Sequence, residues 1–370
     1  MFNLTKKKQN TIKSKLDLTT HVIIKIGTAT LTPHIKNRSN YFSNLAKQVK
    51  KLQAKNKNVI IVSSGAVGFG RKVLSTKKDQ FQINEKQALA SVGQSYLMEQ
   101  YRSEFLKNNV QVGQILVSKN DFTHKRHFKN LYSTIEKLLE WNIVPVINEN
   151  DAVAIRELKL GDNDTLSGFI TSMFPQAFLL MLSTATAFNI DDKPIAVIGK
   201  IDKEIIRQAG NPSALGTGGM KTKVKTANNL MRSGQIMFLC SGEGENPKII
   251  SQAIDVKAKG TWFFDFDNKP SSSSGKRFLF HTKYIHGSIV VDKGAVQALQ
   301  KNNSSLLVVG ITSTKGNFDQ GETINILDEK NKIIARGYSK LSNASLTNLI
   351  TKKQRLKNTI AVHKDQLILL

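Results

Sequence analysis

Residues 144–168 read V-P-V-I-N-E-N-D-A-V-A-I-R-E-L-K-L-G-D-N-D-T-L-S-G, and this stretch decides how the rest of the chain is understood. With the residue before it, its start, Ile143-Val144-Pro145-Val146-Ile147, is a short apolar run of the kind a buried strand needs. Two polar clusters follow. Asn148-Glu149-Asn150-Asp151 comes first, and Gly161-Asp162-Asn163-Asp164 then leads into a helix-like Thr165-Leu166-Ser167. The chain carries 54 Lys+Arg against 28 Asp+Glu, yet Glu149, Asp151, Glu157, Asp162 and Asp164 crowd into this one segment. Carboxylates packed this closely repel one another unless cations or the ammonium groups of a ligand answer them. Loops at the strand ends of an open α/β sheet are where ligands bind. The plainer alternative is a pair of Asx-turns and an N-cap for the helix after Asp164.

Outward from this segment the pattern is regular. His21-Val22-Ile23-Ile24-Lys25-Ile26 reads as a first strand ending in Gly27-Thr28. A lysine inside such a strand is costly to bury unless its ammonium group reaches an anion at the strand's end. Val59-Ile60-Ile61-Val62 is a second buried strand, and Ser63-Ser64-Gly65-Ala66-Val67-Gly68 follows it at once. That small-residue turn leaves backbone N–H groups free to approach a ligand. Helical spacing covers 43–52, 85–106 and 127–141, and strand-like runs cover 110–117, 178–182 and 195–198. Strands alternating with helices at these intervals predict a mostly parallel sheet covered on both faces.

Gly216-Thr217-Gly218-Gly219-Met220-Lys221-Thr222-Lys223 is a glycine-rich turn opening a helix that runs to Met231. Free N–H groups and the helix dipole make such a turn a phosphate seat. It is not a Walker A motif, because no glycine precedes Lys221. Lys221 and Lys223 point to different sides of the first turn, and a lysine there is expected to be exposed. Together with Lys25 and the acidic loop, the turn suggests two lysines flanking a transferring phosphoryl group.

Composition bounds the rest. A chain of 370 residues is too long for one ordinary core, so two domains are expected. At 40% hydrophobic and 22% charged it falls in the globular class. The apolar run Phe178-Leu179-Leu180-Met181-Leu182 is too short to span a bilayer, and the Lys-rich start has no apolar core of a secretory signal. A single cysteine, Cys240, excludes an internal disulfide and fits a reducing, cytoplasmic setting. It ends the run Ile236-Met237-Phe238-Leu239 and reads as a buried strand thiol. The seven histidines show no zinc-ligand spacing. The net charge of +26 suits a nucleic-acid or polyanion surface, or else a lysine-rich coding bias. Arginine, the preferred reader of phosphates and bases, supplies only ten of the 54 basic residues. Composition shifts at D-F-D-N-K-P-S-S-S-S-G-K, a linker by its Pro, Ser and Gly content. Short strands at 288–291, 305–309 and 323–326 follow. The expected layout is a Lys-rich extension at 1–20, a main domain at 21–264, a linker at 265–276 and a small β-rich domain at 277–370.

In order along the chain, V-I-I-K-I-G-T, I-V-S-S-G-A-V, V-P-V-I-N-E-N-D-A-V, G-D-N-D-T-L-S and L-G-T-G-G-M-K-T-K resemble the glutamate 5-kinase family. The tail resembles that family's C-terminal PUA domain through Ile289-Val290-Val291-Asp292-Lys293-Gly294-Ala295, Gly316-Asn317-Phe318 and Ala361-Val362-His363-Lys364-Asp365. The resemblance implies a three-layer αβα amino-acid kinase fold with a mostly parallel sheet, plus a small β-rich PUA-like domain. It implies transfer of the ATP γ-phosphoryl group to the side-chain carboxylate of L-glutamate, the first step toward proline, with Mg²⁺ riding on the nucleotide. By this similarity Lys25, Lys223 and Asp164 are the catalytic set. ATP is held by Lys25, Gly27, Ser183, Thr184, Thr217, Gly218, Gly219, Met220, Lys221, Thr222 and Lys223. Glutamate is held by Ser64, Gly65, Asp151, Asp162 and Asn163, with Asp151 facing the α-ammonium group. The family implies a homo-oligomer, dimer or tetramer. RNA binding through the PUA-like tail of a retired enzyme, and a sister kinase for another small carboxylate or carbamate, are the alternative readings.

The chain departs from the family on one side. Where the family has T-D-x-x-G-L-Y after its strand, this chain reads Ser183-Thr184-Ala185-Thr186-Ala187-Phe188-Asn189. A hydroxyl survives at Ser183, but Thr184 lacks the carboxylate that contacts the nucleotide. The glutamate side keeps its pattern while the adenosine side is altered. Thr184→Asp is therefore expected to tighten ATP binding in a nucleotide titration. An affinity unchanged by the substitution contradicts this.

Overall fold

The structure, a computed structural model, describes residues 4–31, 38–76, 80–118, 120–123, 125–153, 162–210, 219–242, 246–267, 279, 285–302, 304–351 and 358–370. The chain divides into two compact units, residues 1–119 with 131–270, and residues 120–130 with 271–370. The sequence segment expected to be a linker lies mostly outside the described residues.

The first unit is built on eight strands, β1 (His21–Ile26), β2 (Asn58–Ser63), β3 (Gln111–Val117), β4 (Ile143–Glu149), β5 (Ala177–Ser183), β8 (Val197–Ile198), β9 (Ile236–Ser241) and β10 (Thr261–Phe263). Their order across the sheet is β3-β4-β2-β1-β5-β9-β10-β8. From β3 to β9 every pairing is parallel, and β10 turns antiparallel against β9. A hairpin of β6 (Phe188–Ile190) and β7 (Lys193–Ile195) stands apart. Its turn puts Asp191 and Asp192 at φ 46° and 60°, a left-handed pair that short polar side chains tolerate.

Side chains of a strand alternate between faces, and here the alternation separates two layers. Val22, Ile24 and Ile26 join Val59, Ile61, Leu180, Leu182, Phe238 and Cys240 in one core. That core is closed by α1 (Lys6–Asp17), α2 (Arg38–Gln53) and α4 (Ile83–Leu106). Ile23 and Lys25 point to the opposite face, where α6 (Asn163–Met173) packs along β1 and β5. In register, Lys25 lies between Val62 of β2 and Met181 of β5. Burial pushes the Cys240 thiol up to about 12, as expected of an inert strand cysteine.

The Lys-rich start is part of this architecture. Thr5 caps α1 by accepting from the Lys8 amide, and Ile12 and Leu16 are buried in the core. One turn apart, these two apolar residues anchor a helix whose remaining positions are polar. Its charged residues had hidden that spacing.

Two glycines set a close approach between α3 (Ala66–Val73) and α4. A Cβ on Gly93 would overlap the Ala66 carbonyl, and one on Gly70 would overlap the Leu89 backbone. The two helices therefore meet backbone to backbone beside the Ser64-Gly65 turn. The remaining long helices of this unit are α7 (Met220–Arg232) and the shorter α8 (Ile249–Ile254), while α5 (Lys125–Glu140) is shared between the two units' residues.

The second unit carries a five-stranded sheet ordered β13-β11-β14-β15-β17, namely Ile311–Gly316, Gly287–Val291, Thr323–Leu327, Ile333–Tyr338 and Leu367–Leu369. A two-stranded pair of β12 (Leu306–Leu307) and β16 (Ile360–Val362) completes it. Ile289, Val291, Ile324, Ile326 and Leu346 form its core. The expected strand at 305–309 shortens to β12 and then becomes a 3₁₀ turn, Val308–Gly310.

Gly93→Ala should destabilise the first unit by about 3 kcal/mol through overpacking, read as a lowered urea midpoint at constant slope. A midpoint equal to that of the unsubstituted protein contradicts the close helix contact.

Candidate active site

The C-terminal ends of β1, β2, β4 and β5 meet the N-termini of two helices. Asp162 caps α6, its carboxylate accepting from the Thr165 amide at 2.7 Å. The sequence predicts a cap before a helix after Asp164; it is Asp162 that caps, and the helix begins two residues earlier than expected. The cap places Asn163 and Asp164 in the first turn, where the helix dipole favours a negative charge. Asp164 is 1% exposed. Burial alone would raise its carboxyl, but the ammonium groups of Lys25 and Lys223 hold it below the usual carboxylate range.

Those two lysines come from distant parts of the chain. Lys25 Nζ pairs with Asp164 Oδ1, and Lys223 Nζ donates to Oδ2 at 2.8 Å. Both are 7% exposed. The expectation that Lys223 is an exposed helix-end lysine is corrected here. Lys223, Val224, Thr226, Ala227, Leu230 and Met231 form the buried stripe of α7, because that helix packs on α6. Lys221, two positions earlier, is exposed, so the two lysines do diverge as their spacing suggests. Thr226 donates to the Asp164 carbonyl at 3.3 Å and ties the two helices together.

Asn163 faces the other way. Its Nδ2 lies 2.9 Å from the Ser63 carbonyl, 2.7 Å from Ser64 Oγ and 2.9 Å from Asn148 Oδ1. Gly65 adopts φ 104°, a left-handed conformation that glycine takes without strain, and starts α3 from there. Asp151 follows β4 in a tight turn, its amide donating to the Glu149 carbonyl at 2.9 Å.

On the side of α7, Ser183 ends β5 and is buried, while Thr184 is half-buried. Gly27 follows β1, and a Cβ there would stand 3.4 Å from Lys25 Nζ. Gly219 caps α7 and has open space where a Cβ would be. The Thr222 hydroxyl donates to the Gly219 carbonyl at 2.8 Å, and Met220 is half-buried beside it. Thr217 and Gly218 lie outside the described residues, as do Glu157, Gly161 and Gly216.

The structure therefore brings Lys25, Lys223 and Asp164 into one ion-paired group, with Ser64 and Asn163 joined next to it. Sequence reasoning missed Asn148, which bridges Asn163 to Gln94 on α4. In the sequence Asn148 is only the first residue of a polar cluster. Its place at the end of a buried strand was the available signal.

The first unit is thus an open, largely parallel α/β sheet with a buried lysine–carboxylate–lysine group at its strand ends. The amino acid kinase family model matches residues 20–240, and the PUA domain model matches residues 287–359. A glutamate 5-kinase of Prochlorococcus marinus is 37% identical over 360 residues, covering 94% of this chain and 97% of that protein. One from Aquifex aeolicus is 37% identical over 362 residues, covering 94% and 99%. Another, from Meiothermus ruber, is 35% identical over 360 residues, covering 93% and 94%. This chain belongs to the amino acid kinase family, in its glutamate 5-kinase branch with a C-terminal PUA domain.

Asp164→Asn leaves two buried ammonium groups without a counter-charge and is expected to cost about 3–5 kcal/mol of stability. The native carboxyl is depressed, so its contribution is complete above the unfolded value of about 3.9 and is lost as pH falls through the native value. Denaturant melts across pH should show a gap between the two proteins that is constant near neutrality and narrows below about pH 4. A gap that is absent at neutral pH contradicts the pairing.

Proposed function

We propose that this protein transfers the γ-phosphoryl group of ATP to the side-chain carboxylate of L-glutamate, giving L-glutamyl 5-phosphate and ADP. The observation that carries this reading is the convergence of Lys25 and Lys223 on the two oxygens of one buried carboxylate at the strand ends. Two ammonium groups so placed can meet the oxygens of a phosphoryl group as charge shifts across it. The full-length likeness to glutamate 5-kinases supports the choice of acceptor.

The step needs no general base. A glutamate side chain, with an ordinary pKa of about 4.3, is ionised at neutral pH. One of its oxygens bonds to the γ-phosphorus while the bond from that phosphorus to the bridging oxygen breaks. ADP leaves with that electron pair. Catalysis then rests on alignment and charge neutralisation. Lys25 and Lys223 neutralise the group in flight, and Asp164 holds both lysines in place before the nucleotide arrives. The N-terminus of α7, with the amides of Met220 and Lys221 in its first turn and the side chains of Thr222 and Lys223, is turned to the phosphates, and Gly27 lets the backbone come close. Ser183 and Thr184 stand on the nucleoside side, with Thr217 and Gly218 assigned there too. Ser64, Gly65 and Asn163 hold the amino acid, Asp162 steadies the helix end under it, and Asp151 answers the α-ammonium group.

Both oxygens of Asp164 already face ammonium groups, which suits a Mg²⁺ ion held by phosphate and water oxygens on the incoming nucleotide. Such an ion supplies further neutralisation of the phosphates.

Hydroxylamine trapping should yield γ-glutamyl hydroxamate that depends on both ATP and glutamate, with little product from aspartate. Lys223→Met should lower kcat by about 10²–10³. Asp151→Ala should raise the glutamate KM far more than the ATP KM. Activity retained in Lys223→Met removes that lysine from catalysis, and a shift in the ATP KM instead reverses the assignment of sides.

A further inference from the structure

A chain of buried amides runs from α6 to α4, and its hydrogen bonds fix which atom of each amide faces which way. The Glu149 backbone N–H donates to Asn148 Oδ1 at 2.9 Å, so that atom is the acceptor. Asn148 Nδ2 is then the donor, and it meets Gln94 Oε1 at 2.9 Å. Gln94 Nε2 is thereby left over. It is buried and has no partner, on a side chain only 8% exposed. At the other end, Asn163 Nδ2 faces three acceptors, so Asn163 Oδ1 is the remaining atom. It too is buried and without a partner.

The network thus ends in a spare donor at Gln94 and a spare acceptor at Asn163, with Asn148 holding them apart. Buried polar atoms left unpaired are costly and rare in native proteins, and two joined through one residue call for a reason. An α-amino acid supplies the matching pair on one carbon. Its carboxylate accepts, and its ammonium group donates.

We propose that Gln94 is a specificity-determining residue whose Nε2 donates to the α-carboxylate of the acceptor amino acid, while Asn163 Oδ1 accepts from its α-ammonium group. This rests on the reading that the amino acid binds beside Ser64 and Asn163. The close contact of α3 and α4 at Gly70 and Gly93 fixes the position of Gln94, one residue after Gly93. A substrate with a side-chain carboxylate but no α-carboxylate would leave Gln94 unpaired. A site built to hydrogen-bond a group rejects analogues that lack it.

The test separates this role from a purely structural one. Gln94→Glu keeps an acceptor for Asn148 Nδ2 but replaces the donor with an anion. In hydroxamate kinetics it should raise the glutamate KM by about 100-fold or more, with the ATP KM unchanged, since a hydrogen bond to a charged group is lost and repulsion added. Isoglutamine, whose α-carboxylate is a neutral amide able to donate, should suffer far less, so its preference over glutamate rises by about tenfold or more relative to the unsubstituted protein. A glutamate KM within twofold of the original, or equal losses for glutamate and isoglutamine, overturns the proposal. Should the charged variant fail to fold, Gln94→Met removes the donor without adding a charge, and with it the oxygen that accepts from Asn148 Nδ2. It should raise the glutamate KM by about tenfold or more and leave isoglutamine less affected, and equal effects again overturn it. If the unsubstituted protein forms no glutamyl hydroxamate at all, the underlying reading fails before any variant is compared.

Discussion

Everything at this site depends on a single buried carboxylate shared between two ammonium groups. Taking three charges out of water is expensive, and attraction offsets that cost only when the geometry is good and every group is bonded. Asp164 meets both conditions. Its oxygens each face one lysine, and it stands in the first turn of α6, where the helix dipole adds to its stabilisation. An apolar triple of similar volume would hold the helices together as well or better. What the charged version adds is a pair of cations held in fixed positions at the strand ends, which on the proposed function is the preorganisation a transferring phosphoryl group needs.

The fold converges on this point through ordinary means. Strand periodicity turns Lys25 toward α6 while its neighbours Ile24 and Ile26 stay in the opposite core. The helical stripe of α7 turns Lys223 toward the same face. Parallel strand order puts the ends of β1 and β5 side by side, so Gly27 and Ser183 stand level with one another. Beside that group the amides of Gln94, Asn148 and Asn163 link α4, β4 and α6. That linkage relies on two glycines that bring α3 and α4 into backbone contact.

Much of this is legible in the sequence. A lysine inside an apolar strand announced a buried counter-charge, and the strand-helix alternation announced a parallel sheet. The N-cap expected before a helix after Asp164 falls two residues earlier, at Asp162, so that Asp164 lies inside the first turn. Three features were hidden for physical reasons. The burial of Lys223 depends on α7 lying against α6, a tertiary fact that position in a first turn does not carry. The α1 helix was masked by its own lysines, because only Ile12 and Leu16 bear its packing. Gln94 gave no signal, since one glutamine on a long helix has no distinctive spacing, and its meaning comes from which amide atoms are already bonded.

The central claim is that Lys25 and Lys223 bracket the phosphoryl group as it moves. A crystal structure with ADP, glutamate and a planar phosphate mimic measures this most directly. The account predicts that both Nζ atoms lie within about 2.7–3.2 Å of the mimic's equatorial atoms. Finding either lysine still bonded only to Asp164 and out of reach of the mimic would contradict it.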